Sequence, residues 1–262
     1  MANAYGQTMR RGVPALLLCL LSTSLQAQPD VPLRLCTEDE DSYPWLLKDG
    51  RGLNYLMLRL MEARLGQRIL VERQPWRRCL QSLRDNLVDG AFKASFSTER
   101  QAYAHYPMRD GRLDDSRRML TDSYHLFRRK GSAVRWDGQR LETGGEPVGA
   151  QSGFSIAVLL QGLRVPVDDG TKVADAVMVK LLRERVAAAA LQTQQGDYLL
   201  ARQPEWAAQV ERLEPPLVAK PYFLLLSRAL VARDARWAER IWDAVAEVRE
   251  SSEYQHALQR LP

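Results

Sequence analysis

The chain has 262 residues, 45% of them hydrophobic and 26% charged, with a formal net charge of +5. It is apolar enough to bury a core and long enough for two lobes of ordinary size, which excludes a disordered polyelectrolyte. No basic run interleaves with aromatics as a nucleic-acid groove needs, and three scattered histidines lack the spacing of a metal site.

At the N-terminus, Arg10 and Arg11 precede the apolar run from Val13 to Leu21, and Leu25-Gln26-Ala27 offers a small-residue exit. That order of charge, apolar core and cleavage point predicts a secretory signal peptide over residues 1–27. The run is about half the ~20 residues a spanning helix needs. Met9 could serve equally as the start, and Cys19 lies inside the run rather than at a lipid-attachment point. Cleavage leaves Cys36 and Cys79, an even pair in an oxidising compartment. A bridge between them is expected, the alternative being two buried thiols.

Val31 to Cys36 alternates as a strand, followed by an acid-rich loop, Thr37 to Gly52, that carries Tyr43, Pro44 and Trp45. Leu53, Leu56, Met57, Leu60, Met61 and Leu65 mark one helical face closed by Gly66. Ile69 to Val71 is a second strand. Pro75 opens a helix with Leu80, Leu83, Leu87 and Val88 at helical spacing, Asp89-Gly90 ends it, and Ala91-Phe92 begin a third strand. Ser95, Ser97, Thr98 and Arg100 then form a polar turn, with an arginine suited to gripping a carboxylate at two points. The β-α-β-α-β alternation predicts a parallel sheet, whose ligands bind at the carboxyl ends of the strands. Three segments meet there: the Tyr43/Trp45 loop, Trp76 to Arg78, and Ser95 to Arg100. Cys36 and Cys79 fall at the same edge.

Met108 to Ser116 reads as a polar crossing and Tyr124 to Phe127 as a strand, with a loop-rich stretch from Gly131 to Pro147. Val148 to Ala150 leads through Gln151-Ser152-Gly153 into an apolar helix from Ser155 to Leu163, whose free N–H groups suit an anion. Ala174 to Leu182 is helical. Glu214 to Pro221 reads as the return crossing and Tyr222 to Ser227 as an apolar strand. Ala235 to Val248 is a helix with Trp237 and Trp242 turned to the core, and Tyr254 to Leu261 closes the chain.

In this order the motifs resemble the amino-acid-type, family 3 periplasmic solute-binding proteins. There a Gly/Asp turn, a strand, a hydroxyl and an arginine five residues on hold the ligand's carboxylate, and Ser95 and Arg100 stand at that spacing. Gln151-Ser152-Gly153 matches the second-lobe anion site, with Phe154 where the family carries a hydroxyl. The resemblance implies an α/β, two-lobe periplasmic-binding-protein-like II fold, each lobe an open, mostly parallel sheet flanked by helices. Residues 28–114 and 220–262 form the first lobe and 115–219 the second. It implies a periplasmic, non-enzymatic monomer without cofactor, metal or nucleic acid, closing over a small carboxylate-bearing ligand such as an amino acid and delivering it to an ABC permease. The expected ligand contacts are Tyr43, Trp45, Trp76, Ser95, Arg100, Ser152 and Gly153.

One departure stands out. Arg185 to Ala189 occupies the place of the family's Arg-Val-Asp-Ala segment, where an aspartate commonly accepts the ligand's ammonium, and Ala187 replaces it here; Asp197 is the nearest substitute. Two other functions share the fold. One is a freestanding sensory protein for a membrane receptor. The other is a dehydratase-like enzyme drawing a catalytic carboxylate from Glu38, Asp39, Glu40 or Asp41, four acids that otherwise read as a solvated turn.

Overall fold

The computed structural model describes residues 1–2 and 31–260, so the leader's apolar run and its cleavage point lie outside the described residues. The first elements alternate as the apolar spacing predicts: β1 (Leu33–Glu38), α1 (Leu53–Leu65), β2 (Ile69–Gln74), α2 (Trp76–Arg84), β3 (Gly90–Ser95) and α3 (Thr98–Gln101). Gly66 ends α1 in the left-handed region at φ 61°, donating its N–H back to the Glu62 carbonyl. Next come β4 (Ala104–His105), β5 (Met108–Arg109), β6 (Arg112–Leu113) and β7 (Leu120–Arg129). The stretch read as a crossing thus folds as the β5–β6 hairpin. A second hairpin, β8 (Arg135–Trp136) with β9 (Leu141–Glu142), occupies the loop-rich excursion.

Alternation resumes with β10 (Val148–Gln151), α4 (Ile156–Gly162), β11 (Val167–Thr171), α5 (Ala174–Leu182), β12 (Ala188–Gln192), α6 (Thr193–Arg202), α7 (Pro204–Gln209) and β13 (Val210–Arg212). The chain then returns along β14 (Val218–Ser227) into α8 (Arg228–Arg233), α9 (Ala235–Arg249) and α10 (Ser252–Gln259).

The strands run in the order β11-β10-β12-β7-β14-β3-β1-β2. At one end β2, β1 and β3 are parallel, at the other β11, β10 and β12. Between them β7 and β14 pair antiparallel from Leu120↔Tyr222 to Tyr124↔Val218. Past that shared stretch, β14 continues against β3 and β7 against β12, so the two long strands join two parallel half-sheets. Apolar helix faces cover both: Met57, Met61, Ile241, Trp242 and Val245 pack on one, Val177, Met178 and Leu181 on the other. The fold is the expected two-lobe α/β arrangement.

Cys36 in β1 and Cys79 in α2 are joined, their Cα atoms 5.6 Å apart. At the start of β3, Gly90 lies so close to β14 that a Cβ would meet the Leu225 carbonyl oxygen at 2.5 Å and Leu35 Cδ2 at 2.9 Å. Backbone cannot yield as a side chain can. Gly90→Ala is therefore expected to cost ~2 kcal/mol through overpacking, a fall in Tm of about 4–8 °C that thermal unfolding would measure.

Candidate functional site

The site begins with a mismatch between two neighbouring strands. Gly90 and Ala91 of β3 pair with Leu226 and Leu225 of β14, but Ala94 and Ser95 pair with Phe223 and Tyr222. Two residues, Phe92 and Lys93, thus oppose Leu224 alone, which is a β-bulge. Lys93 takes the left-handed conformation there, φ 59°, and is 5% exposed. Its ammonium donates to Glu38 Oε1 at 2.9 Å, to Gln192 Oε1 at 2.9 Å and to the Ser42 hydroxyl. A lysine has three donors, and all three are used.

Lys93, Glu38 and Gln192 line a cavity of about 20 Å³, roughly the room one water occupies. Ser95, Arg100 and Ser155 line it too, and Trp76, Tyr124, Phe154 and Tyr222 supply aromatic faces. Arg100, one turn beyond β3, is 5% exposed. It donates to the backbone carbonyls of Ser95 at 2.9 Å and Gly153 at 3.3 Å, and its guanidinium lies 5.4 Å from the centre of the Trp76 ring. Among the described residues it has no carboxylate partner. Lys220 of β14, outside the lining, donates to Ser155 Oγ at 3.1 Å, with Ser155 Oγ 2.8 Å from Ser95 Oγ. Burial, then the charge of Arg100, pulls the Lys220 ammonium down to about 8. It too has no carboxylate partner among the described residues.

Contacts around the cavity close the half-sheets on each other. Lys172 pairs with Asp39 at 2.6 Å and Glu40 at 3.1 Å, and Arg77 with Asp169 at 2.7 Å. Tyr43 stacks on Tyr198, ring centres 4.1 Å apart, and donates its backbone N–H to Gln195 Oε1 at 2.6 Å.

Of the residues singled out from sequence, Trp76, Ser95 and Arg100 line the cavity, and Gly153 reaches Arg100 through its carbonyl. The other three sit off its wall. Tyr43 closes the gap between the halves. Trp45 is core, its indole N–H donating to the buried Asp122 at 2.9 Å. Ser152 is tied by its backbone N–H to the Thr171 carbonyl. Ala187 precedes β12 at the end opposite Gln192, roughly 16 Å from it at the rise of a strand, and so cannot meet a ligand in this cavity. Asp197 is engaged by Arg212.

Of the four acids only Asp41 is exposed as a solvated turn would have it. Glu38 is 7% exposed against Lys93, Asp39 and Glu40 hold Lys172, and Asp41 accepts the Lys48 N–H at 2.6 Å. Lys93, Gln192 and Lys220 were not expected near the site, and Glu38 only as one of the four acids of the enzymatic alternative. Two carried a signal: Lys93 interrupts the run Ala91-Phe92, and Gln192 is the polar residue that ends Ala188 to Leu191, at a strand's carboxyl end. Among the described residues, no group of three or more His, Cys, Asp or Glu side chains could hold a metal ion.

Lys220 sits in its place at a cost. Folding lowers its pKa from 10.5 to about 8, so the charge is penalised in full below pH 8 and the penalty fades as pH rises towards 10.5. Lys220→Met is expected to raise the Tm of the unliganded protein by about 2–4 °C at pH 7, the shift made by ~1 kcal/mol in a chain of this size. That gain should shrink between pH 8 and 10.5; a gain independent of pH would sink the account.

A two-lobe α/β fold with its cavity where the half-sheets meet is that of the periplasmic-binding-protein-like proteins. Solved structures of that fold superpose on most of the chain. The GluR0 ligand-binding core from Nostoc punctiforme, in complex with L-glutamate, has a TM-score of 0.70 at 16% identity, covering 87% of this chain and 98% of that one. ArtJ of Geobacillus stearothermophilus, an arginine-, lysine- and histidine-binding protein, has a TM-score of 0.69 at 13% identity, covering 88% and 94%. A histidine kinase sensor domain similar to periplasmic binding proteins has a TM-score of 0.69 at 15% identity, covering 87% and 95%. No protein-family model matches the chain, and no curated protein sequence matches it.

Proposed function

We propose that the chain is an exported, monomeric solute-binding protein that closes over a small carboxylate-bearing ligand and delivers it to an ABC permease. The observation that carries this reading is Arg100. A buried guanidinium spans from Ser95 to Gly153 across the cavity, using two of its five donors on neutral carbonyls. A carboxylate is the group that would compensate it, taking bidentate bonds in place of those carbonyls. Residues 28–114 with 220–262 would form one lobe and 115–219 the other, with the β7–β14 pair between them. Closure follows because a ligand held from both halves stabilises the closed state over the open one. The leader motif supports export to the periplasm, and no described helix is long and apolar enough to cross a membrane.

A non-enzymatic role is favoured because the one acid on the cavity wall, Glu38, is bound to Lys93 and not free for acid–base work. The similarity to a kinase sensor domain favours sensing as the second reading, in which the same closure would be read by a membrane receptor.

A thermal-shift screen of the mature protein against organic acids, amino acids and polyamines tests the proposal. Ligand at 100 times its Kd adds about 2.7 kcal/mol, or roughly 5–10 °C in Tm. A panel that leaves Tm unmoved overturns it.

A further inference from the structure

We infer that the cleft between the half-sheets, closed here to the room of about one water and able to admit a ligand only as the halves part, takes a small organic dicarboxylate that carries no amino group. The inference rests on the proposed binding function and specifies its ligand. An amino acid needs both a cationic grip for its carboxylate and an anionic or carbonyl grip for its ammonium, and this cavity offers only the first.

The ammonium's place is already filled by the chain. Among the described residues Glu38 is the only acid lining the cavity, and its carboxylate accepts from Lys93, as do the Gln192 amide oxygen and the Ser42 hydroxyl. These are the acceptors that a ligand ammonium would seek, and one tethered ammonium saturates its three donors on them. The tether is no accident of a flexible surface lysine. The extra residue of the β3 bulge and the left-handed backbone at φ 59° turn a side chain of this strand inward, a conformation that a lysine adopts only when its surroundings impose it. Asp122, the other buried acid nearby, accepts from the Trp45 indole and the Ser123 N–H and lies off the cavity wall. A second ammonium brought in by a ligand would stand beside Lys93 without an acceptor, and burying an unpaired charge is disfavoured.

Around Arg100 the balance reverses. Arg100 lines the cavity and Lys220 reaches the lining hydroxyl of Ser155 from behind it, and the groups these two cations bond to are carbonyls and a hydroxyl, all neutral. Two uncompensated positive charges favour two negative ones, and the Ser95–Ser155 hydroxyl pair can donate alongside them. The aromatic faces of Trp76, Phe154 and Tyr124 suit a short carbon body between the carboxylates.

The test compares acids of one carbon skeleton with and without the amino group. Isothermal titration of the wild-type protein with succinate against L-aspartate, and glutarate against L-glutamate, is expected to favour the amino-free member at least tenfold in each pair. Propionate should bind at least tenfold more weakly than succinate. Lys93→Ala should release the acceptors and raise L-aspartate affinity at least tenfold; the wild-type comparison stands whether or not this variant folds. Wild-type protein that binds L-aspartate or L-glutamate as tightly as the amino-free partner overturns the inference and leaves the solute-binding proposal intact. Equal affinity for propionate and succinate overturns the dianion. Failure of every acid and amino acid to bind overturns both proposals.

Discussion

Arg100→Ala is expected to weaken ligand binding at least 100-fold while leaving the unliganded protein folded. Two charge-assisted bonds to one carboxylate contribute about 1.5–3 kcal/mol each, and each 1.4 kcal/mol is tenfold in affinity. The fold loses less, because Arg100 is bonded to only two backbone carbonyls. That of Ser95 keeps a second donor, the Tyr106 hydroxyl at 2.8 Å. Removing the guanidinium also relieves Lys220, whose ammonium is pulled down partly by that charge. Titration with the ligand found by screening, beside a melting curve of the empty variant, separates the two effects. An unfolded variant would make Arg100 a structural residue. Arg100→Lys keeps the charge but not the planar fork, and should fall between wild type and alanine.

The second large effect is on stability. Cys36 and Cys79 are 43 residues apart, and cross-linking a loop of that length removes chain entropy from the unfolded state worth about 4 kcal/mol at 25 °C. Replacing both by alanine should lower Tm by about 8–16 °C, and a reducing agent should do the same to the wild type but nothing further to the variant. Affinity should move less than stability, since α2 remains packed through Trp76 and Leu83 on the core that Ala91 and Ala94 of β3 share. A Tm that is unchanged by reduction would show that the bridge is absent or contributes nothing.

What the sequence disclosed and what it hid follow from how far each feature depends on distant partners. Helix α5 was legible to the residue, because its apolar spacing is a local property. So was the convergence of Trp76, Ser95 and Arg100, which needs only the rule that ligands sit at strand carboxyl ends. Trp45 and Trp76 looked alike as loop-edge aromatics. What separates them is Asp122, 77 residues from Trp45, which claims the indole of one and not the other. The inward turn of Lys93 depends on a register shift against a strand 130 residues further on, which no local pattern encodes. Ala187 was given the ammonium site by analogy of segment alone; the boundaries of β12 place that residue at the wrong end of the strand.

The antiparallel pair at the centre of the sheet bears on how the molecule can open. Both passages between the halves are strands hydrogen-bonded to each other from Leu120↔Tyr222 to Tyr124↔Val218, so they cannot flex independently. Opening must twist a two-stranded ribbon about its length, a motion spread over many backbone dihedrals and not concentrated in one loop. Tyr124, Lys220 and Tyr222 ride on that ribbon, and a twist about its length would displace them least. Lys93 and Gln192 sit off it, on opposite arms. If the halves close over a ligand as proposed, the cavity would keep a nearly stationary floor beneath two travelling walls, and the arms would fold in around a ligand already seated on that floor.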